Sequence, residues 1–336
     1  MGNFQGHYCD RVIEQPRSTN LGAPGPAFGT GESTNLCGRG TSIPIQFSMR
    51  RVHIVLTALM MLAAAGQSSA QRSETYRGFD RNDYPGDALL PALRQSFQFT
   101  GYWLNNPPGE TSNSWTGKRG ILKQNGFGFL VLFNGHTAAE LKGADATGLG
   151  EAEGKAAAAA AVREGFPANV IIFLDQEEGG RLTPDQATYL FAWVDAVRAA
   201  GARAGIYCSA IPVPDGPGGK TITTAQDVAE REEARTNSRA IERQRRIAIW
   251  AANDACPPSP GCRLTEKPTW PDLPLKSSAY EAAWQYAQSP RRAQFSSSCP
   301  LDQAQDGMCY APGVAPSEKI FVDLNLAHSP DPSEEP

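Results

Sequence analysis

Histidine is scarce in this chain, at four residues in 336. Beyond residue 70 only His136 and His328 remain, and Cys208, Cys256, Cys262, Cys299 and Cys309 lack the spacing of a zinc site. Neither a metal nor a cofactor is expected. No Gly-x-Gly-x-x-Gly follows the first strand and there is no P-loop, which argues against a doubly wound open sheet. The Gly-x-Ser-x-Gly elbow, a Cys–His pairing and His-Glu-x-x-His are absent too, so the usual non-glycosidic hydrolases find no support. A net charge of −4 gives no electrostatic footprint for nucleic acid. Nor does any apolar run reach the ~20 residues that span a bilayer.

What is present is an ordinary globular composition, 40% hydrophobic and 20% charged. Residues 1–48 are rich in Gly, Ser, Thr, Asn and Pro without apolar period, and read as disordered, mis-assigned upstream translation. At Met49 begins "MRRVHIVLTALMMLAAAGQSSAQR". Two arginines, an apolar stretch from Val52 to about Ala65 and a small-residue exit at Ser68-Ser69-Ala70 form the pattern of a secretory signal peptide over 49–70. The expected product is a secreted, periplasmic or envelope protein starting near Gln71, with no membrane insertion after cleavage. The arginine pair leaves both the Sec and the twin-arginine route open. Export permits disulfides, and the short loops between them predict Cys256–Cys262 and Cys299–Cys309 bridges, with Cys208 a buried free thiol.

From Gly78 onward apolar runs alternate with helical patterns. Strands are expected at 77–80, 97–104, 126–133, 169–175 and 203–209, and helices near 87–95, 113–124, 151–164, 184–200 and 223–245. The fourth helix carries the best signals: a Thr183/Gln186 capping box, Pro184 in the first turn, one apolar face and Gly201 as the stop. Three further strands, at 246–254, 279–287 and 319–327, are joined by Pro-, Ser- and Cys-rich connections. Continuous apolar strands alternating with helices mean a parallel sheet covered by helices. Eight strands, the first five helix-backed, predict a TIM-like (β/α) barrel whose last three strands lack regular helices; a doubly wound open sheet is the competitor. The barrel is expected over 75–328, with 329–336 a frayed tail.

The stretch "VIIFLDQEEGGRLTP" (170–184) runs a buried strand into carboxylates. By strand alternation Asp175 and Glu177 face the same way with Gln176 opposed, at the strand end where barrel enzymes place their chemistry. Asp80 ends the first strand and Asp323 lies in the last, so four carboxyls are expected on one rim. Like charges held close raise one pKa and leave an acid beside ionised partners, the division of labour that glycoside cleavage needs. Capping and backbone hydrogen bonding is the plainer alternative for each of them. Tyr102, Trp103, Tyr207, Trp250, Trp284 and Tyr286 lie near strand ends where rings can stack on sugars, although barrel aromatics are commonly core. The 223–245 segment reads either as a partner-binding helix or as a solvated face.

"GFD" (78–80), "FLDQEEGGRLTPDQATYLFAWVDAVRAAGARAGIYCS" (173–209), "AWQYA" (283–287) and "VDLN" (322–325) resemble family 25 glycoside hydrolases, the Chalaropsis-type muramidases. "GFDRNDYPGDALLPALRQSFQFTGYWL" and "DATGLGEAEGKAAAAAAVREGFP" are similar to a glycoside-hydrolase-like domain of unknown function from a twin-arginine-exported mycobacterial protein. The resemblance covers nearly all of 75–328. It implies Glu177 as proton donor, Asp175 orienting or polarising an N-acetyl group, and Asp80 and Asp323 completing the ring, with catalysis assigned to Glu177, Asp175 and Asp80. Asp323, Tyr102, Tyr207, Trp250 and Gln285 are then expected to face substrate. This chain has Asn82 where the muramidases carry a hydroxyl residue, and keeps a Glu that members of the offshoot often lose. The expected activity is hydrolysis of β-linked glycans such as peptidoglycan by a monomer. A non-catalytic wall-glycan-binding protein on the same fold is the rival.

Overall fold

The computed structural model describes residues 74–236, 245–253, 270–288, 311, 313–318 and 320–336. The expectations for 1–48 and 49–70 and for the Cys256–Cys262 and Cys299–Cys309 bridges lie outside the described residues. Eight strands close into a barrel. The first half runs β1 (Tyr76–Asp80), α1 (Leu90–Arg94), β2 (Phe99–Trp103), α2 (Arg119–Gln124), β3 (Gly128–Asn134), α3 (Ala138–Leu141), α4 (Ala146–Arg163), β4 (Ile171–Gln176), α5 (Pro184–Ala199) and β5 (Arg203–Ser209). A small hairpin, β6 (Val213–Pro214) with β7 (Thr221–Ile222), leads to α6 (Thr224–Thr236). Then come β8 (Ile247–Ala252), β9 (Ala279–Ala287) and β10 (Asp323–Ala327). Among the described residues, a turn residue at 245 and the turn Pro316–Glu318 are what is helical after α6, and most of the connections from β8 to β9 and from β9 to β10 lie outside the described residues.

One strand departs from the all-parallel expectation. β10 is antiparallel to both β9 and β1, while the other barrel pairs are parallel. The closing strand therefore starts where its neighbours end.

The barrel is filled by matching bulk to glycine. A Cβ on Gly78 would sit 2.0 Å from the Phe99 ring, and one on Gly205 would sit 2.5 Å from the Phe173 ring. These glycines clear the interior for the aromatic rings opposite them, and an added methyl would overpack it. Outside, α5 has both halves of its Thr183/Gln186 capping box and buries Leu190, Trp193, Val194 and Val197. Against it lies α4, which starts five residues before the apolar pattern because Asp145 caps it by accepting from the Gly148 N–H. Gly150 and Gly154 let the two helices close up: their Cβ atoms would fall 2.4 Å from Tyr189 O and 2.6 Å from Trp193 O.

The helix expected at 113–124 shortens to α2. Asn113 holds the preceding residues in a turn instead, accepting from Trp115 N and donating to Trp103 O. In α6 two charged residues are buried in ion pairs, while Glu230 and Arg235 are exposed as a solvated face would have them. Buried Asp227 pairs with Arg181 and Arg231, and buried Glu232 with Arg198.

The frayed tail is also corrected. Asp331 and Ser333 insert at the lower ends of β3 and β4. Asp331 Oδ1 accepts from Phe129 N and Ser333 Oγ from Val131 N, while Ser333 N donates to Phe129 O and Ser333 O accepts from Ile171 N. Buried backbone groups need such partners, and the tail supplies them.

Candidate active site

The side chains that face the barrel interior follow from register. Asp80 lies opposite Asp323 across β1 and β10. Asp175 lies level with Asn134 and Tyr207, and Tyr207 with Trp250. Gly101 faces inward beside Asp80, since a Cβ there would be 2.7 Å from Asp80 Cβ.

Four carboxyls meet around one phenol. Burial raises the Tyr207 hydroxyl pKa well above its ordinary value, and the charges of Asp80, Glu177, Asp175 and Asp323 raise it further, in that order. Tyr207 is thus a neutral donor, and its hydroxyl bonds Gln285 Oε1 at 2.9 Å. Asp175, only 6% exposed, has its pKa raised well above the carboxylate range, first by burial and then by the charges of Glu177 and Asp80. Its Oδ1 is buried without a hydrogen-bond partner. A buried polar atom left unsatisfied is costly, and this one lies one residue from the C-terminal end of β4. Glu177 follows the end of β4 and is exposed.

The residues around Glu177 hold the loop in place. Glu178, the other acid of the stretch, accepts from Ala138 N and from the Gln186 amide, a structural role at the head of α3 and α5. Gly180 adopts φ 90°, which a side chain rarely tolerates, and Val213 of the hairpin would lie 3.1 Å from a Cβ there. Arg181 ties this loop to the hairpin through both carboxylate oxygens of Asp215, each at 2.8 Å.

Several expected substrate contacts are placed elsewhere. Tyr102 points away from the interior: its hydroxyl donates to Glu164 and its ring packs edge-on against Trp115, Phe129 and Phe166. Strand parity explains this, because Gly101 takes the inward position. Trp250 faces inward but is fully buried, so no ring face is left for a sugar. Gln285, 1% exposed, turns its amide on Asp80. Trp103, Trp284 and Tyr286 are also buried. Asn325 was missed: its Nδ2 donates to Asp80 Oδ1 at 2.7 Å. Its position two residues after Asp323, on the same strand face, was the available signal.

Buried Cys208 faces outward with Gln176, and desolvation raises its thiol pKa, which leaves it inert. Among the described residues no group of His, Cys, Asp and Glu is arranged to hold a metal ion, and no helix is long and apolar enough to cross a membrane.

Residues 120–256 match the family model of the Rv2525c-like, glycoside hydrolase-like domain. That span includes Asp175, Glu177, Tyr207 and Trp250; Asp80, Gln285 and Asp323 lie outside it. No curated relative matches by sequence. Among solved structures, an uncharacterized B. stearothermophilus protein is similar at 22% identity and TM-score 0.47, covering 75% of this chain and 95% of that one. The Mycobacterium tuberculosis Tat-secreted protein Rv2525c is similar at 11% identity and TM-score 0.42, covering 77% and 96%. A family 25 glycosyl hydrolase from Bacillus anthracis is similar at 13% identity and TM-score 0.37, covering 77% and 91%.

Proposed function

We propose that this protein, which carries the Rv2525c-like, glycoside hydrolase-like domain over residues 120–256, is an exported hydrolase of β-linked glycans acting on peptidoglycan-type polymers. The observation that carries the reading is the ring of carboxyls at the strand ends, with Asp175 buried and orphaned at one oxygen beside an exposed Glu177. Export is supported by the signal-peptide pattern at 49–70, and the substrate class by the muramidase-like motifs.

Two carboxyls of unequal burial supply the acid chemistry. In the open site the proton belongs to Asp175, where burial and its charged neighbours favour the neutral form. A glycan settling on the rim covers Glu177, and loss of water favours the neutral acid there. The same glycan brings a donor, such as an acetamido N–H, to the orphaned Asp175 oxygen and stabilises that group as an anion. Binding thus moves the proton from Asp175 to Glu177, from where it passes to the leaving glycosidic oxygen. Asp80, held by two amide N–H groups, remains an anion facing the positive charge that develops on the sugar.

Glu177→Gln keeps the shape but cannot deliver a proton. It should cut turnover by at least about 10²-fold with glycan binding retained, read as reducing ends released from peptidoglycan and chitin oligomers. Equal activity in wild type and variant removes Glu177 from the mechanism. Glycan binding by a wild type that releases no reducing ends replaces this reading with the non-catalytic binding protein.

A further inference from the structure

Below the rim the barrel interior holds a chain of hydrogen bonds built around one oxygen. Trp250 Nε1 donates to Asn325 Oδ1 at 2.9 Å, and Asn325 Nδ2 donates to Asp80 Oδ1 at 2.7 Å. From the other side the Tyr207 hydroxyl donates to Gln285 Oε1 at 2.9 Å, and Gln285 Nε2 donates to the same Asp80 oxygen at 3.1 Å. Both amides are almost fully buried.

The partners of each amide decide which way it points. An indole N–H can only donate, so the Asn325 oxygen must face Trp250 and its NH2 must face Asp80. At Gln285 the acceptor oxygen of Asp80 draws the NH2, and the Tyr207 hydroxyl, which can donate or accept, donates to the Oε1 left facing it. Leucine or methionine would fill the volume; the amides do something leucine cannot, placing two N–H groups on one carboxylate oxygen.

The groups facing Asp80 are mostly acidic. They are Asp323 from β10, Asp175 and Glu177 from β4 and its end, and the Tyr207 phenol from β5, with Arg81 next in the chain. From β2, Gly101 packs against Asp80 and carries no charge. In such a cluster protons are shared, and whichever carboxyl is best solvated by fixed donors keeps its charge.

We infer that Asn325 and Gln285 are positioning residues: the first oriented by Trp250 and the second bonded by Tyr207, they hold Asp80 as the standing carboxylate of the site and direct proton uptake to Asp175 and Glu177. This deepens the glycosidase reading and rests on it for its catalytic consequence, but the clamp itself is measurable without turnover.

The direct test is carboxyl ¹³C NMR of Asp-labelled protein from pH 3 to 8, with Asp80 assigned by its loss in Asp80→Asn. In Asn325→Leu and in Gln285→Leu the Asp80 titration midpoint should move upward by about one unit or more, since each removes a hydrogen bond to the charged form. Trp250→Phe removes the N–H that orients Asn325 while keeping an aromatic ring there, and serves if a leucine variant fails to fold; a smaller upward move is expected. An unmoved midpoint in the variants that fold overturns the clamp. In turnover, Gln285→Glu adds a second readout. Its neutral acid can donate as the amide does, whereas its carboxylate repels Asp80. The variant's kcat should therefore fall about tenfold or more as pH rises through the titration of the introduced carboxyl, with KM little changed; a kcat–pH profile parallel to wild type would contradict the proposal. Absence of wild-type turnover on every glycan tried sinks the glycosidase reading alone, because the NMR result still reports on the clamp.

Discussion

Deleting residues 329–336 should cost this barrel far more than the loss of a surface tail. Phe129, Val131 and Ile171 are fully buried, and their N–H groups donate to Asp331 Oδ1, Ser333 Oγ and Ser333 O. Each buried donor left without a partner costs about 1–3 kcal/mol. Water reaching the open lower end reduces that, so the three together should cost about 3–5 kcal/mol. Ser333→Ala orphans only the Val131 N–H and should cost about 1–3 kcal/mol. The measurement is urea unfolding followed by tryptophan fluorescence, with a lowered midpoint and unchanged slope. Gly128 gives an internal check, because a Cβ there would lie 2.1 Å from Pro330 O. Gly128→Ala should destabilise the full-length protein and be nearly neutral in the truncated one, a coupling that a double-mutant cycle reads directly. A deletion costing under about 1 kcal/mol, within the range of ordinary surface changes, would refute the docking argument.

Asp331 is held up at about 6, chiefly by burial and then by Glu334. The native state therefore keeps a proton that the unfolded chain has already released, and stability from this group falls as pH rises from about 4 to about 6. Asp331→Asn should flatten that slope and match or exceed wild type at pH 7.5; a variant with an unchanged slope rules the group out. Glu281 is held up at about 7, first by burial, opposed by a 2.5 Å hydrogen bond from Trp270 Nε1 and then reinforced by Asp272. The sign is the same, so Glu281→Gln should equal wild type at pH 4 and gain of order 1–2 kcal/mol at pH 8, after allowing for partial exposure. Trp270→Phe should abolish a fluorescence change with its midpoint near pH 7, and persistence of that change would assign it elsewhere.

The barrel was legible because its strands are unbroken apolar runs and α5 announces both ends with a capping box and a glycine. The same unbroken runs hide parity. "FTGYW" is buried throughout, so nothing in its hydropathy says which face Tyr102 takes. The glycine beside it did say so: Gly101 marks the place where Asp80 packs. Asn325 was equally readable by its alternation with Asp323. The docked tail was not, because "SPDPSEEP" is polar and proline-rich and its hold depends on backbone groups and on Arg119 and Lys123, more than 200 residues away.

The reversed closing strand explains how both ends of the barrel come to be complete. A chain that only alternates strands and helices keeps its strands parallel, and each crossover carries it back to the lower end. Asp323 is the first residue of β10. In a parallel β10 it would sit at that lower end, a barrel length from Asp80. Because β10 runs the other way, it starts at the rim with Asp323 level with Asp80, and it ends below with Ala327 level with Tyr76. The residues after Ala327 are thereby delivered to the lower ends of β3 and β4, where Asp331 and Ser333 dock. One strand direction thus places the fourth carboxyl of the site and the peptide that seals the opposite end. A substitution that loosens β10 should be felt at both, in the titration of the rim and in the protection of the Phe129 and Val131 amides from hydrogen exchange.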